Sequence, residues 1–350
     1  MTRKPTGDLR RGWTTGACAT AATKAALMAL WGDGFPKSVG ITLPRGETPE
    51  FPLAHTDKGE GWAEVGITKD AGDDPDVTHG ALILARVTKS KGGVVFVAGD
   101  GVGTVTKAGL PIGVGEPAIN PKPREFMCAV VDEMAAIYDM PADVEITISI
   151  PNGAEIAKKT WNGRLGIVGG LSVLGTTGVV RPFSCSAWIA SIHRGIDVVR
   201  ADGLPHVAGC TGATSERVVQ GMYNLPDFAM LDMGDFSGGM LKYLSKKPVP
   251  RLTIGGGIGK ITKLAQGAVD LHSSRSQVDF DALNDVAQSL GLPDVSNANT
   301  ALEAVTITGN ALAREIARLA QINAMEQSKG MIDQIDIVVI DRTGNVLGQV

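Results

Sequence analysis

"PRLTIGGGIGKITKLAQGAVD", residues 250–270, decides the fold class. A short apolar and β-branched run, Leu252–Ile254, enters a cluster of glycines, Gly255, Gly256, Gly257 and Gly259, and a helix starts beyond them. Strand, glycine turn and helix in that order are the building unit of a parallel sheet wrapped by helices. The turn also leaves backbone N–H groups at a helix N-terminus, where a carboxylate or phosphate is well received. Lys260 follows the glycines, but Ile261 stands where a P-loop needs Ser or Thr, and the spacing is short. An ATPase reading is therefore weak.

Working outward, the same alternation holds from about Gly166. "PFSCSAWIASIHRGIDVVRA" (182–201), "TSERVVQGMYN" (214–224) and "SGGMLKYLSKK" (237–247) are expected as helices. "HVAGC" (206–210) and "DFAMLDM" (227–233) are short apolar strands between them. Long helices are expected at Val278–Leu290 and Ala301–Gln327, and "QIDIVVID" (334–341) closes the chain as one more strand. The earlier half has a different rhythm. A helix at Thr15–Trp31, with Thr14 or Thr15 as cap and Gly32 as stop, precedes strands in "SVGITL", "GWAEVGITK", "ALILARVT" and "GVVFVAG". A second helix from near Pro123 to before Pro141, the strand "DVEITISIP" and a short helix "GAEIAKKTW" complete it. The expected fold is an α+β part, residues 1–165, followed by an α/β part with a mostly parallel sheet, residues 166–350. No Ser/Pro linker separates them, so two tightly packed domains are expected.

Composition narrows the function classes. The 350 residues are 43% hydrophobic and 20% charged with a net charge of −4, as in a soluble globular protein. No basic block exists, which argues against nucleic-acid binding. No run of 18 apolar residues is present, so no membrane span is expected. "MTRKPTGDLRRGW" lacks the apolar core of a signal peptide. Cys18, Cys128, Cys185 and Cys210 form no CxxC pair, which argues against zinc or a disulfide framework and for reduced thiols in the cytoplasm. The 45 glycines stand against 8 Phe, 5 Trp and 3 Tyr and punctuate apolar runs, as tight turns and backbone-lined pockets would require.

Four further stretches could carry chemistry. "DAGDDPDVTHG" (70–80) concentrates Asp73, Asp74 and His79 in one loop. It reads as a solvated turn, as a hard-cation site that lacks EF-hand spacing, or as a polar loop that moves a proton. "AGDGVGTVTKAGLPIGVGEPAINPKPR" (98–124) holds Gly101 and Gly103, with Lys107 and Arg124 to reinforce an anion nest; two hairpin turns are the plainer alternative. In "GRLGIVGGLSVLGTTGVVRP" (163–182), Gly169, Gly170, Gly175 and Gly178 interrupt an apolar run without matching G-x-G-x-x-G. "GWTTGACATAATKAAL" (12–27) opens a helix on small residues, either for close packing or as a floor for a flat ligand. His272 and Ser273 are polar ligands or a helix C-terminal loop. No G-x-S-x-G elbow or H-E-x-x-H anchors a hydrolase.

Taken together, "LRRGWTTGACATAATKAAL", "KDAGDDPDVTHG", "GVGTVTKAGL", "EPAINPKPR", "ISIPNGAEIAKKTWNGRLGIVGGLSVLGTTG", "MGDFSGGMLKYL" and "GGGIGKITKLAQGAVDLHSSRSQVD" resemble the cobalt-precorrin-5B C(1)-methyltransferase family of anaerobic cobalamin biosynthesis. The similarity runs from Leu9 to about Asp279. It implies methyl transfer from S-adenosylmethionine to ring carbon C-1 of a tetrapyrrole, with no protein-bound metal. A sulfonium displacement needs chiefly positioning, so the lack of a catalytic triad fits. Under the resemblance, Asp74, His79 and Asp73 are the catalytic candidates. Thr14, Thr15, Gly16, Lys107, Arg124, Lys260, His272 and Ser273 are candidates for the ring and its carboxylates, with Lys263 and Arg275 as further cations. Gly101, Gly103, Gly169, Gly170, Gly175, Thr176, Thr177, Gly255, Gly256 and Gly257 are candidates for the donor. Cys18 is expected as a buried small hydrophobe. A non-catalytic corrinoid carrier and a nucleotide-utilising enzyme are the alternatives. A cytoplasmic protein is expected, with homo-oligomerisation left open.

Overall fold

The computed structural model describes residues 8–32 and 34–350. The chain forms two compact units, the first running to Ser184 and the second from Cys185 to Val350. The first unit is built on the opening helix, Thr15–Trp31. Thr14 Oγ1 accepts the Ala17 N–H at 3.2 Å, and the Gly32 N–H closes the last turn on Met28 O. Its alanines are buried, so the helix backbone can lie close to its neighbours. Those neighbours are the helix Pro121–Tyr138 and the strands Trp62–Thr68 and Leu82–Lys89.

These strands belong to a five-stranded sheet in the order His55–Gly59, Trp62–Thr68, Leu82–Lys89, Val144–Ser149, Val95–Ala98. All its pairings are antiparallel except the last, which is parallel. Period-two alternation buries Ala63, Val65 and Ile67, Ile83, Ala85 and Val87, and Val144, Ile146 and Ile148 in one core with the opening helix.

The glycine-rich stretches complete this unit. Ile167–Val168 pairs with Thr104–Val105, and Val179–Val180 pairs with Gly12–Trp13. Residues 166–184 therefore belong with the first unit, and the division falls later than the expected boundary near 165.

The second unit carries a five-stranded sheet in the order Met230–Leu231, His206–Cys210, Arg251–Gly257, Gln334–Ile340, Val346–Gln349. The first four strands are parallel and the last is antiparallel. Leu252, Thr253, Ile254, Ile335, Ile337, Val338 and Val339 are buried without alternation, as expected where helices cover both faces. The expected helix Ala301–Gln327 is two helices, Ala301–Thr308 and Asn310–Gln327. Gly309, at φ +72, separates them, a conformation that glycine alone adopts without cost. Val346–Gln349 is a strand that follows the one expected to close the chain.

Candidate functional site

The acidic loop is tied down by its own chain. Arg10 makes a two-pronged ion pair with Asp70, and the Arg10 N–H donates to Asp73 at 2.6 Å. The Arg10 hydrogen bond, followed by that of the Gly72 N–H, holds the Asp70 carboxyl down at about 2. Lys69 is buried, with its ammonium on Asp76 and on Thr78 Oγ1 at 2.7 Å. Burial alone would raise the Asp76 carboxyl, but the Lys69 charge and hydrogen bond outweigh it and hold it low. Asp74 accepts the N–H of Phe183 at 2.8 Å, fixing that residue at φ +56. His79 Nδ1 accepts the Ala71 N–H at 3.1 Å, which leaves the proton of a neutral ring on Nε2. Its side chain is about half exposed. The loop thus combines four carboxylates used as backbone acceptors, Asp70, Asp73, Asp74 and Asp76, with one imidazole nitrogen that the backbone does not engage.

The opening helix uses its small residues for packing. The Gly16 N–H donates to Leu174 O at 2.8 Å. A Cβ on Gly16 would stand 2.7 Å from Pro123 Cγ, and one on Gly175 would stand 2.2 Å from Thr14 Oγ1. Thr15 is buried, whereas Thr14 is half-buried. Cys18 is buried in the same helix, and that burial pushes its thiol up to about 12, which removes it as a nucleophile.

The glycine loops of the first unit behave similarly. The Gly103 N–H donates to Leu171 O, and the Gly101 carbonyl accepts from the Leu171 N–H. Arg124 donates to Ile119 O and Pro117 O and pairs with Glu116 at 2.8 Å. Its charge is met by Glu116 and two backbone carbonyls. Gly169 has open space around its Cβ position, and Thr176 is exposed beside the half-buried Thr177. Lys107 packs its stem against Gly166.

The second unit gathers another set. From His206–Cys210 the chain passes to the strand on one side of it. From Arg251–Gly257 it passes to the strand on the other side. Their adjacent carboxyl ends form a topological switch point, where ligands bind in open parallel sheets. Gly255 and Gly256 serve close packing there. Added Cβ atoms would meet Val219 Cγ2 at 2.6 Å and Thr211 Oγ1 at 2.8 Å. Gly257, Gly259 and Gly212 have open space instead. Gly257 caps the helix Ile258–Ala265 without a side-chain hydrogen bond, so its first N–H groups receive no cap from that residue.

Lys260 reaches across this edge. Its ammonium donates to Thr211 O at 3.2 Å and lies 2.7 Å from Asp235 Oδ1. Beyond that ion pair, the buried Asp235 Oδ1 has no hydrogen-bond partner. Ser237 Oγ, fully buried two residues on, has none either. Lys263 donates to Leu271 O at 3.1 Å, and burial pushes its ammonium below the ordinary lysine range, with Asp235 working against that shift.

His272, Ser273 and Arg275 follow on the adjoining exposed loop, where His272 Nδ1 meets Ser274 Oγ at 2.8 Å and Arg275 pairs with Asp270 at 2.9 Å. Sequence reasoning missed Asp235, Ser237 and Thr211. Thr211 and Asp235 are short polar residues that the sheet order brings to Lys260, and Ser237 opens the helix Ser237–Leu244 two residues beyond Asp235. Among the described residues, no helix is long and apolar enough to cross a membrane.

Comparison with known proteins adds a second line. The family model CbiD matches residues 2–182, and the model for the CbiD C-terminal domain matches residues 270–350. The chain is 59% identical to a cobalt-precorrin-5B C(1)-methyltransferase of Brucella anthropi, over 98% of this chain and 96% of that protein. It is 58% identical to the protein of the same name from Brucella canis, with the same coverage. A crystal structure of cobalamin biosynthesis protein (cbiD) from Archaeoglobus fulgidus is similar at 26% identity and a TM-score of 0.42, over 81% of this chain and 85% of that one.

Proposed function

The chain belongs to the CbiD family, and on that premise we propose that it transfers a methyl group from S-adenosylmethionine to ring carbon C-1 of cobalt-precorrin-5B, giving cobalt-precorrin-6A. The observation that carries this is the near-full-length identity with enzymes of that name. S-adenosylmethionine supplies a methyl group on a sulfonium sulfur, and the chain's task is to hold donor and ring carbon in line. The switch point of the second unit suits the donor best. Gly212, Gly257 and Gly259 leave room for close approach, and the N-terminus of the helix Ile258–Ala265 favours an anion. The buried Ser237 hydroxyl, which has no hydrogen-bond partner, and the Asp235 carboxylate beside Lys260 fit a ligand that brings donors of its own.

The ring is a polycarboxylate. His272, Ser273 and Arg275 of the second unit suit its acid side chains. His79, with Nε2 turned from the backbone, is the residue of the acidic loop suited to moving a proton. Asp73 and Asp74 hold that loop in shape. The enzyme works in the cytoplasm. Neither rival class gains an observation of its own.

The test is to incubate the purified chain with S-adenosylmethionine and enzymatically prepared cobalt-precorrin-5B and follow the products by mass. A corrinoid heavier by one methyl group, with S-adenosylhomocysteine formed in equal amount, is expected. Binding of the corrinoid without either product would show a carrier instead.

A further inference from the structure

Resting on that donor site, we propose that the Lys260–Asp235 ion pair opens to receive the α-amino-acid end of the donor, Lys260 taking the carboxylate and Asp235 the ammonium. Three observations carry it. Lys260 spans two strand ends, holding Thr211 O and Asp235 Oδ1, at the place where the sheet order turns. Asp235 is buried, and its Oδ1 is met by the Lys260 ammonium at 2.7 Å, so the buried carboxylate depends on a side chain that is itself about one-third exposed. The buried Lys263 donates to Leu271 O, and both Asp235 and Asp270 act on its charge, so the pair belongs to a connected set of charged groups.

A zwitterion inserted into the pair leaves the net charge unchanged. It also leaves each side chain with a partner of opposite charge. Lys260 is about one-third exposed, so its side chain can swing outward while Asp235 stays in place. Asp235 is thus a positioning residue in the free protein and a ligand contact in the complex. The buried hydroxyl of Ser237 lies two residues further on as an additional acceptor. A carboxylate could also come from the tetrapyrrole, and the chemistry at Lys260 would be the same.

The experiment compares S-adenosylhomocysteine with methylthioadenosine, which lacks the amino-acid end. Affinities are measured by calorimetry on the full chain and on Lys260→Met, Lys260→Arg and Asp235→Asn, with melting curves to confirm folding. The wild type is expected to favour S-adenosylhomocysteine at least tenfold. Lys260→Met and Asp235→Asn should lose that preference while keeping the affinity for methylthioadenosine, and Lys260→Arg should retain part of it. A parallel arm uses cobyrinic acid and its methyl ester. Loss of preference for the free acid in Lys260→Met, with S-adenosylhomocysteine unaffected, assigns the carboxylate to the ring and overturns the zwitterion proposal. An unchanged ratio of the two nucleosides in both variants also overturns it. A wild type that binds neither nucleoside overturns the donor site beneath it.

Discussion

Gly170 approaches Gly101 so closely that a Cβ on it would stand 2.2 Å from the Gly101 carbonyl oxygen. A Cβ on Gly153 would stand equally near that oxygen, which already accepts the Leu171 N–H at 2.8 Å. Three stretches of backbone therefore converge on one peptide group. Glycine here makes room for main chain, which cannot swing aside as a side chain can.

Gly170→Ala should consequently cost roughly 3 kcal/mol, the upper end for overpacked substitutions. For a unit of this size that is a fall of about 6–12 °C in melting midpoint. Gly169→Ala is the control. Its Cβ would meet open space, and only its φ of +88 is strained, a cost of about 1–2 kcal/mol. Calorimetric melting should rank Gly170→Ala well below Gly169→Ala. Equal midpoints would show that close approach is not what these glycines serve.

Gly16 is expected to act through the fold as well. Its N–H is held by Leu174, and a Cβ would press on the Pro123 ring. Gly16→Ala should lower the melting midpoint, and Gly16→Val should lower it further. Any loss of ligand affinity should follow the loss of folded protein. A stable Gly16→Val chain that loses only the corrinoid would restore the helix as a floor for the ring.

At the amino end of the second sheet, His206 Nε2 meets Thr253 Oγ1 at 2.8 Å, and Thr253 Oγ1 donates to Asp336, which also pairs with Arg251. Burial, then the Arg251 charge, lower the His206 imidazolium below its ordinary range, with Asp336 opposing. A lowered folded value means the neutral ring is the stabilised form. Its contribution is present above the unfolded value of about 6.5 and is lost as pH falls through the folded one. The melting midpoint of the second unit should decline from about pH 6.5 downward, with a shallower decline in His206→Gln. Asp336, held low because Arg251, Gln334 and Thr253 outweigh its burial, adds its loss only in more acid solution. Identical pH profiles would remove His206 from the account.

The helix Thr15–Trp31 was legible because a capping threonine and a stopping glycine bracket it, and both signals are local. The parallel sheet was legible for a related reason: each of its strands is a short apolar run bounded by turn residues. The break at Gly309 was not, since a glycine inside a helical pattern is often tolerated and only its φ reveals the stop. Nor can sequence separate a glycine that frees an N–H from one that admits another backbone. Gly101 and Gly170 belong to the second kind, while Gly257 and Gly259 have open space. Lys260 drew notice through the glycines beside it. Asp235 did not, because its partner lies across a sheet edge and no spacing records that.

The most direct measurement is a crystal structure of the chain with S-adenosylhomocysteine bound. The nucleoside is predicted at the carboxyl ends of His206–Cys210 and Arg251–Gly257, against Gly212 and Gly257, with the amino-acid end between Lys260 and Asp235. A nucleoside seated instead on Gly101–Gly103 or Gly169–Thr177 of the first unit would contradict the account.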